Sequence, residues 1–170
     1  MKQLFIIASI AAFSFTACKS KTTDTGDTPA PATASQYYEQ VAALEETMSE
    51  PLLTTEAAIK ARGDKKDFDG IARSAKAMED TVDLRIDALK KLEPVGKGGE
   101  DFKLVATRYF EYIKSIYTSY KKIGEAKTEE ERMKGADEMT NIINGQAAVM
   151  ANLQSAQAKF AADNGFTINQ

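Results

Sequence analysis

Four tyrosines in the second half of the chain are the side chains best suited to hold a ligand. Tyr109, Tyr112, Tyr117 and Tyr120 fall within one short stretch, beside Phe110. Their aromatic faces and phenol hydroxyls suit a cleft for a largely apolar ligand. In the structural alternative, Tyr109 and Tyr120 fill the core while Tyr112 and Tyr117 lie at its boundary. The spacing favours this structural interpretation.

Two other clusters have the composition of a ligand site without its spacing. Glu79, Asp80 and Asp83 would hold a cation only if acids from another helix converged on them, and we expect a solvated charged face instead. The glycine-rich segment 96–99 lacks the Gly-Lys-Ser/Thr spacing of a phosphate-binding loop and follows no strand. We therefore expect it to be an interhelical turn.

The absence of histidine removes several classes of function. His-ligated haem, His-containing zinc or copper sites and Ser-His-Asp catalysis all need a residue that this chain lacks. No Asp-x-Asp-x-Asp-Gly loop for calcium occurs either. The chain has 22 basic and 25 acidic residues, a mildly acidic balance that argues against nucleic-acid binding. We predict no catalytic residue, no metal site and no cofactor, and so a protein that is not an enzyme.

Cys18, the single cysteine, directly follows an apolar N-terminal run. Lys2 supplies a positive charge and residues 4–15 an apolar segment of about 12 residues, too short to cross a bilayer. The pattern is similar to a bacterial lipoprotein signal, which implies cleavage after Ala17 and acylation of Cys18. It departs from that signal at Phe15, where leucine is usual. The alternative is an ordinary secretory signal that leaves a free thiol.

The predicted domains are a signal peptide over residues 1–17, a lipidated linker over 18–34 and a helical domain over 35–170. The linker has no large apolar residue and is rich in Thr, Ala, Pro and Asp, so we expect a disordered tether. Two or more acyl chains anchor a protein firmly to a membrane. Position 19 is not Asp, which by the sorting rules of such lipoproteins implies the outer membrane, on either its periplasmic or its surface face.

From Ser35 onward the apolar periodicity predicts an up-down-up-down antiparallel four-helix bundle. Apolar residues recur at spacings of 4 and 3, as in a heptad seam. The seam of helix two comprises Phe68, Ile71, Ala75, Met78, Val82, Ile86, Leu89 and Leu92. That of helix three comprises Phe102, Ala106, Tyr109, Ile113, Ile116, Tyr120 and Ile123. That of helix four comprises Ala136, Met139, Ile143, Ala147, Met150, Leu153, Gln157 and Phe160.

Capping residues and glycines mark the ends of these helices. Ser35 is expected to cap helix one, Gly63 to end it, and Asp64 with Asp67 to cap helix two. Gly124 is expected to end helix three. The last helix should begin at a capping box of Thr128 and Glu131 and end at Asn164 and Gly165, with Phe166 and Ile168 folding back on it.

Three residues should disturb the helices internally. Pro51 predicts a kink or short break near residues 49–50, because proline removes a hydrogen bond and crowds the preceding turn. Gly135 and Gly145 are expected inside helix four, where each costs up to about 1 kcal/mol relative to alanine. A close approach of another helix is one reason to tolerate them.

Three segments carry a resemblance to a known family. They are residues 89–103 (LKKLEPVGKGGEDFK), 109–117 (YFEYIKSIY) and 159–166 (KFAADNGF). Together with the cysteine signal, they resemble an uncharacterised family of surface lipoproteins from spirochaetes and Bacteroidota. The resemblance implies an exported helical lipoprotein, and it implies no reaction and no functional residues.

These observations favour a non-enzymatic envelope module, anchored through lipid on Cys18. Its helical surface would meet an envelope or host protein. The alternative is a small-ligand or lipid-binding bundle whose cleft lies near Tyr109, Tyr112, Tyr117 and Tyr120. The third hypothesis is an enzyme that uses Tyr, Lys or carboxylate chemistry. It ranks last because the sequence shows no recognisable group of catalytic residues of that kind.

Overall fold

The computed structural model describes residues 30–168, in which every regular element is an α-helix. The predicted signal peptide, Cys18 and most of the tether lie outside the described residues. The helices are α1 (Ala34–Glu46), α2 (Ser49–Asp64), α3 (Phe68–Lys91), α4 (Gly99–Glu125), α5 (Glu129–Asn144) and α6 (Gln146–Asp163). The prediction of an all-α helical bundle is confirmed. Between residues 30 and 168, no helix is long and apolar enough to span a bilayer.

An antiparallel pair of long helices, α3 and α4, forms the centre of the bundle. Lys114 Nζ lies 2.6 Å from Asp83 Oδ1, and Lys121 binds Glu79, so residue numbers rise along one helix as they fall along the other. Helix α2 packs on α3, while α5 and α6 pack on α4. Helix α1 contacts both α3 and α6, where the Tyr37 and Phe160 rings meet edge-on at 5.9 Å.

The apolar stripe of α3 is the one that the sequence predicts. Its central members are buried and its two ends, Phe68 and Leu92, are half-buried. Burial of such a stripe is the main source of the stability of a helix in a protein.

The stripe of α4 differs from the predicted heptad seam. Phe110 and Tyr117 are fully buried, whereas Tyr109, Tyr120 and Ile123 are only half-buried. The expectation that Tyr117 lies at the core boundary is therefore wrong. A straight helix has 3.6 residues per turn, so a strict seven-residue seam drifts by about 20° per heptad. Because α4 also packs against helices other than α3, its buried surface is wider than a seam.

The first predicted helix is broken, as expected, close to Pro51. It ends at Glu46, and α2 begins at Ser49, so the break falls at Thr47 and Met48. Pro51 thus lies in the first turn of α2, where its missing N–H would have no partner within the helix.

The last predicted helix is broken as well, and there the prediction is wrong. Gly145 both ends α5 and precedes α6, so it does not lie inside a continuous helix. Ala147, a predicted seam residue, is exposed just beyond this break. Gly135 does lie inside α5, where a Cβ would come within 2.9 Å of Ile123 Cγ1. Close approach of α4 therefore accounts for Gly135.

Several caps agree with the sequence. Thr128 and Glu131 form the predicted capping box. Gly165 has φ of +70°, the Phe166 N–H donates to Ala161 O at 3.1 Å, and Phe166 and Ile168 pack against the core. This is the fold-back expected of a Schellman motif.

The first helix is capped two residues before the predicted position. Thr33, not Ser35, caps α1, because its hydroxyl accepts a hydrogen bond from the Gln36 N–H at 3.2 Å. Pro31 is buried. The packed part of the chain therefore begins a few residues before the predicted boundary at residue 35.

Helix α2 ends at Asp64, and the left-handed residue that follows it is Lys66 rather than the expected Gly63. Lys66 has φ of +56°, and its N–H and that of Asp67 donate to Gly63 O and Arg62 O. Asp64 closes α2, and Asp67 alone caps α3 by accepting from Gly70 N–H at 2.9 Å. Lys66 thus adopts the left-handed conformation that is usually taken by glycine in a Schellman motif.

Replacing Lys66 with glycine should therefore stabilise the protein by about 0.5–1 kcal/mol, because a side chain in the left-handed region is strained. Urea unfolding followed by circular dichroism would measure the change. Lys65→Gly is the matched control, since Lys65 has φ of −95° and gains nothing from glycine. A Lys66→Gly variant no more stable than wild type would contradict the strain at this position.

Candidate functional site

A groove of about 480 Å³ runs between α4 and α6. On α4 its lining residues recur at spacings of 3 and 4, so they share one face of the helix. Helix α6 supplies the opposite wall. The apolar part of the lining consists of Phe102, Val105, Tyr109, Val149, Ala156 and Phe160.

The two ends of the groove differ in charge. Because α4 and α6 meet in opposite directions, Asp101, Lys159 and Asp163 lie at the end near Gly98. Asp163 accepts from Lys159 and from Lys97, whose Nζ is 3.3 Å away. Those hydrogen bonds hold the pKa of Asp163 below its usual range. The acid at this end is thus already paired with cations.

The opposite end of the groove is cationic. Arg108 lies there beside Tyr109, with Asn152 on α6. No carboxylate within residues 30–168 forms an ion pair with Arg108. A guanidinium presents a planar fork of donors that fits a carboxylate or phosphate. This end can therefore receive an anionic group.

A buried polar pair, Glu45 on α1 and Gln157 on α6, adjoins the groove. Only 9% of Glu45 and 4% of Gln157 is exposed, and Gln157 Nε2 donates to Glu45 Oε2 at 3.2 Å. Burial raises the pKa of Glu45 to about 8, although the hydrogen bond from Gln157 acts in the opposite direction. Burial, with the added charge of Glu45, raises the pKa of Tyr109.

Sequence reasoning placed Gln157 on the helix-four seam but missed Glu45. The spacing of Glu45 could have indicated its burial, since it follows the buried residues Tyr37 and Val41 at intervals of four. A carboxylate at the next position of an apolar stripe is a candidate for burial with a raised pKa.

The four tyrosines predicted as a ligand cluster do not converge on this groove. Tyr109 lines it, and the other three do not. Tyr117 is in the core, 6.1 Å from the Tyr120 ring, and Tyr112 is half-buried. Burial raises the pKa of Tyr120 to about 12, with a contribution from Glu56. Of the four predicted tyrosines, Tyr109 is therefore the one that lines the groove.

The acidic cluster on α3 departs from the predicted solvated face at one position. Glu79 is only 5% exposed and accepts hydrogen bonds from Thr118 and Lys121 across the α3–α4 contact. Asp83 binds Lys114, while Asp80 pairs with Lys76 at the surface as expected. Within residues 30–168, no three acidic or cysteine side chains form a group that could hold a metal ion.

The glycine-rich segment 96–99 is the expected interhelical turn. Gly96 and Gly98 have φ of +93° and +75°. Asn164 at the end of α6 closes over the turn: its Oδ1 accepts from Lys97 N–H at 2.8 Å and its Nδ2 donates to Lys97 O at 3.0 Å. The turn therefore fixes the end of α6 against the start of α4.

A smaller depression of about 310 Å³ lies between α2 and α3. Its polar lining includes three threonine hydroxyls, each of which already donates within the protein. Thr54 donates to Glu50 O, Thr81 to Ala77 O, and Thr55 to the sulfur of Met78. The α4–α6 groove is the better candidate site, because Arg108 and Asn152 remain accessible there.

The described residues thus form an α-helical bundle with an amphipathic groove between α4 and α6. No protein family, no curated protein and no solved structure matches the chain.

Proposed function

We propose that the protein is a lipid-anchored module of the cell envelope that acts as a binding protein rather than as an enzyme.

 Its fold would be an up-down-up-down four-helix bundle. The first of the four helical segments would combine α1 and α2, the second and third would be α3 and α4, and the last would combine α5 and α6. The observation that carries the proposal is the α4–α6 groove, whose lining combines apolar side chains with the Arg108 guanidinium, which has no ion-pair partner within residues 30–168.

The anchoring part of this proposal draws on the N-terminal sequence. The charged, apolar and small residues before Cys18 have the order of a lipoprotein signal. The resemblance to surface lipoproteins of spirochaetes and Bacteroidota points the same way, as does the missing Asp at position 19 for the outer membrane. Ala34, at the start of α1, lies close to the turn at Gly96, since a Cβ on that glycine would be 2.6 Å from Ala34 Cβ. The tether would therefore join the bundle at the end that holds this turn.

Acylation of Cys18 is a direct test of the anchor. In a bacterium with an outer membrane, the mature protein should be found in the membrane fraction and should begin at Cys18. Its intact mass should include the acyl chains. Cys18→Ser should abolish the added mass and the membrane fractionation, because no other residue can take this modification. Lys21→Ser is the matched control in the same segment. A chain that keeps residues 1–17, or lacks acyl mass, would contradict the anchor.

The binding part of the proposal predicts that contacts with a partner fall in the groove. A photo-crosslinking amino acid at Val105, which lines the groove, should capture a partner in intact membranes. The same group at Leu104, which is half exposed outside the groove, should not. Equal capture from both positions, or turnover of a substrate by the purified protein, would count against a groove-centred binding module.

The second candidate function is the binding of a small ligand. It is favoured by the size of the groove, since sites for small molecules commonly enclose about 300–1,000 Å³. It is also favoured by the mixture of a mostly apolar lining with a few polar groups that could fix the orientation of a ligand.

A further inference from the structure

The geometry points to an unbranched acyl chain with a terminal carboxylate as the ligand of the α4–α6 groove. This inference rests on the second candidate function, the binding of a small ligand. It adds the chemical class of that ligand and its direction in the groove.

The shape of the groove suits a single chain. Its α4 wall extends from Gly98 to Tyr109, a distance of about 16 Å at the rise of an α-helix. Apolar side chains line this length from both helices, with Phe102 and Phe160 at one end and Val149 at the other. A narrow apolar ligand can lie along this length, and each methylene that leaves water favours binding.

The charges set the direction of the ligand. A carboxylate is favoured at the Arg108 end, where Asn152 adds a side-chain donor. It is disfavoured at the opposite end, which holds Asp101 and Asp163, and where Lys159 already donates to Asp163. The acyl chain would therefore extend from Arg108 towards Phe102 and Phe160.

The buried carboxyl next to the groove does not oppose this arrangement at neutral pH. The charge of Glu45 acts on Tyr109, which lines the Arg108 end. Burial raises the pKa of Glu45 to about 8, so most molecules carry it uncharged at pH 7. The positive charge of Arg108 is then available to a ligand.

The position of the groove gives a ligand from the membrane a short route. Gly98 lies at its end, in the turn that contains Gly96, and Gly96 approaches Ala34 at the start of α1. The chain that leads to Cys18 joins the bundle at this end. With the anchor proposed above, this end of the groove is the one joined to the membrane tether.

Photolabelling of the full chain in phosphatidylcholine nanodiscs tests the inference. The probes are dodecanoate and dodecanol that carry the same diazirine group, and labelled peptides are located by mass spectrometry. Dodecanoate should label residues 102–109 and 149–160 at least fivefold more than dodecanol does. Arg108→Gln should remove that preference, whereas Lys122→Gln, at an exposed position of α4, should keep it.

A filling variant separates the groove from the membrane surface. Ala156→Phe should reduce labelling by both probes, because Ala156 lines the groove, and Ala148→Phe, at an exposed position of α6, should not. Circular dichroism of each variant would check that the fold is kept.

Two results would overturn the inference in different ways. Equal labelling by the two probes, unaffected by Arg108→Gln, would overturn the carboxylate while leaving a small apolar ligand in place. Absence of label from both groove walls, with a protein captured from Val105, would overturn the acyl ligand and the second candidate function, and would leave the envelope module as the proposed function.

Discussion

Replacing Glu45 with glutamine should stabilise the protein by about 2–4 kcal/mol at pH 8, since each pKa unit corresponds to about 1.4 kcal/mol. Burial raises the pKa of Glu45 to about 8 from its ordinary value of 4.5. The folded protein therefore holds a proton that the unfolded chain releases. Glutamine keeps an oxygen that can accept from Gln157 Nε2 and has no charge to bury.

The pH dependence gives this prediction its sign. Below pH 4.5 the carboxyl is protonated in both states, so the substitution should have little effect. Between about 4.5 and 8 the folded state binds more protons than the unfolded state, and the free energy of unfolding falls as the pH rises. The advantage of Glu45→Gln should therefore grow across this range and level off above pH 8.

Urea unfolding of the full chain at several pH values would measure the effect. Glu46→Gln is the matched control, because it removes the same charge from the exposed neighbour of Glu45. Glu56, whose pKa burial raises to about 7, should leave a smaller slope in the Glu45→Gln variant. Equal stability of Glu45→Gln and wild type at pH 8, with parallel pH profiles, would show that the folded protein does not disfavour the charged carboxyl.

The features that the sequence predicts well are those that depend on neighbours along the chain. The stripe of α3, the capping box at Thr128 and the fold-back of Phe166 each involve residues within a few positions of one another. Their spacing is set by the helix repeat or by the geometry of a cap. Such local rules also explain why Pro51 marks a break.

The features that the sequence did not predict depend on residues far apart. Glu79 is buried because Thr118 and Lys121 meet it from α4, 39 and 42 residues away. Lys66 takes the left-handed position after α2, although Gly63 is the residue with the usual signal, because the chain turns into α3 only at that point. Neither result follows from spacing on one helix.

The candidate groove was only partly predictable, for the same reason. Tyr109 was expected near a cleft, but Val149 and Asn152 lie outside the predicted seam of the last helix. That seam keeps its register beyond the break at Gly145, where Leu153, Gln157 and Phe160 are buried, so Val149 and Asn152 belong to a neighbouring face of α6. Which face of α6 borders the groove is then decided by the packing of α6 on α4.

Replacing Gly124 with alanine should destabilise the protein by about 3 kcal/mol, the upper part of the range for overpacked cores. The residue was expected to end its helix, but it lies inside α4, one position before the end, and is buried against α3. A Cβ at this position would lie 2.6 Å from both Ala72 N and Phe68 O. These are backbone atoms, so relief requires α3 and α4 to move apart.

The direction of this effect distinguishes close helix packing from helix propensity. In an exposed helix, glycine to alanine stabilises by up to about 1 kcal/mol, so propensity alone predicts the opposite sign. Gly135→Ala is the matched control, because its Cβ would meet the Ile123 side chain, which can shift, at 2.9 Å. Thermal and urea unfolding should show a large loss for Gly124→Ala and a change within about 1 kcal/mol for Gly135→Ala. Since Gly124 sets the separation of the two central helices, a Gly124→Ala protein as stable as wild type would mean that α3 and α4 cross at a greater distance.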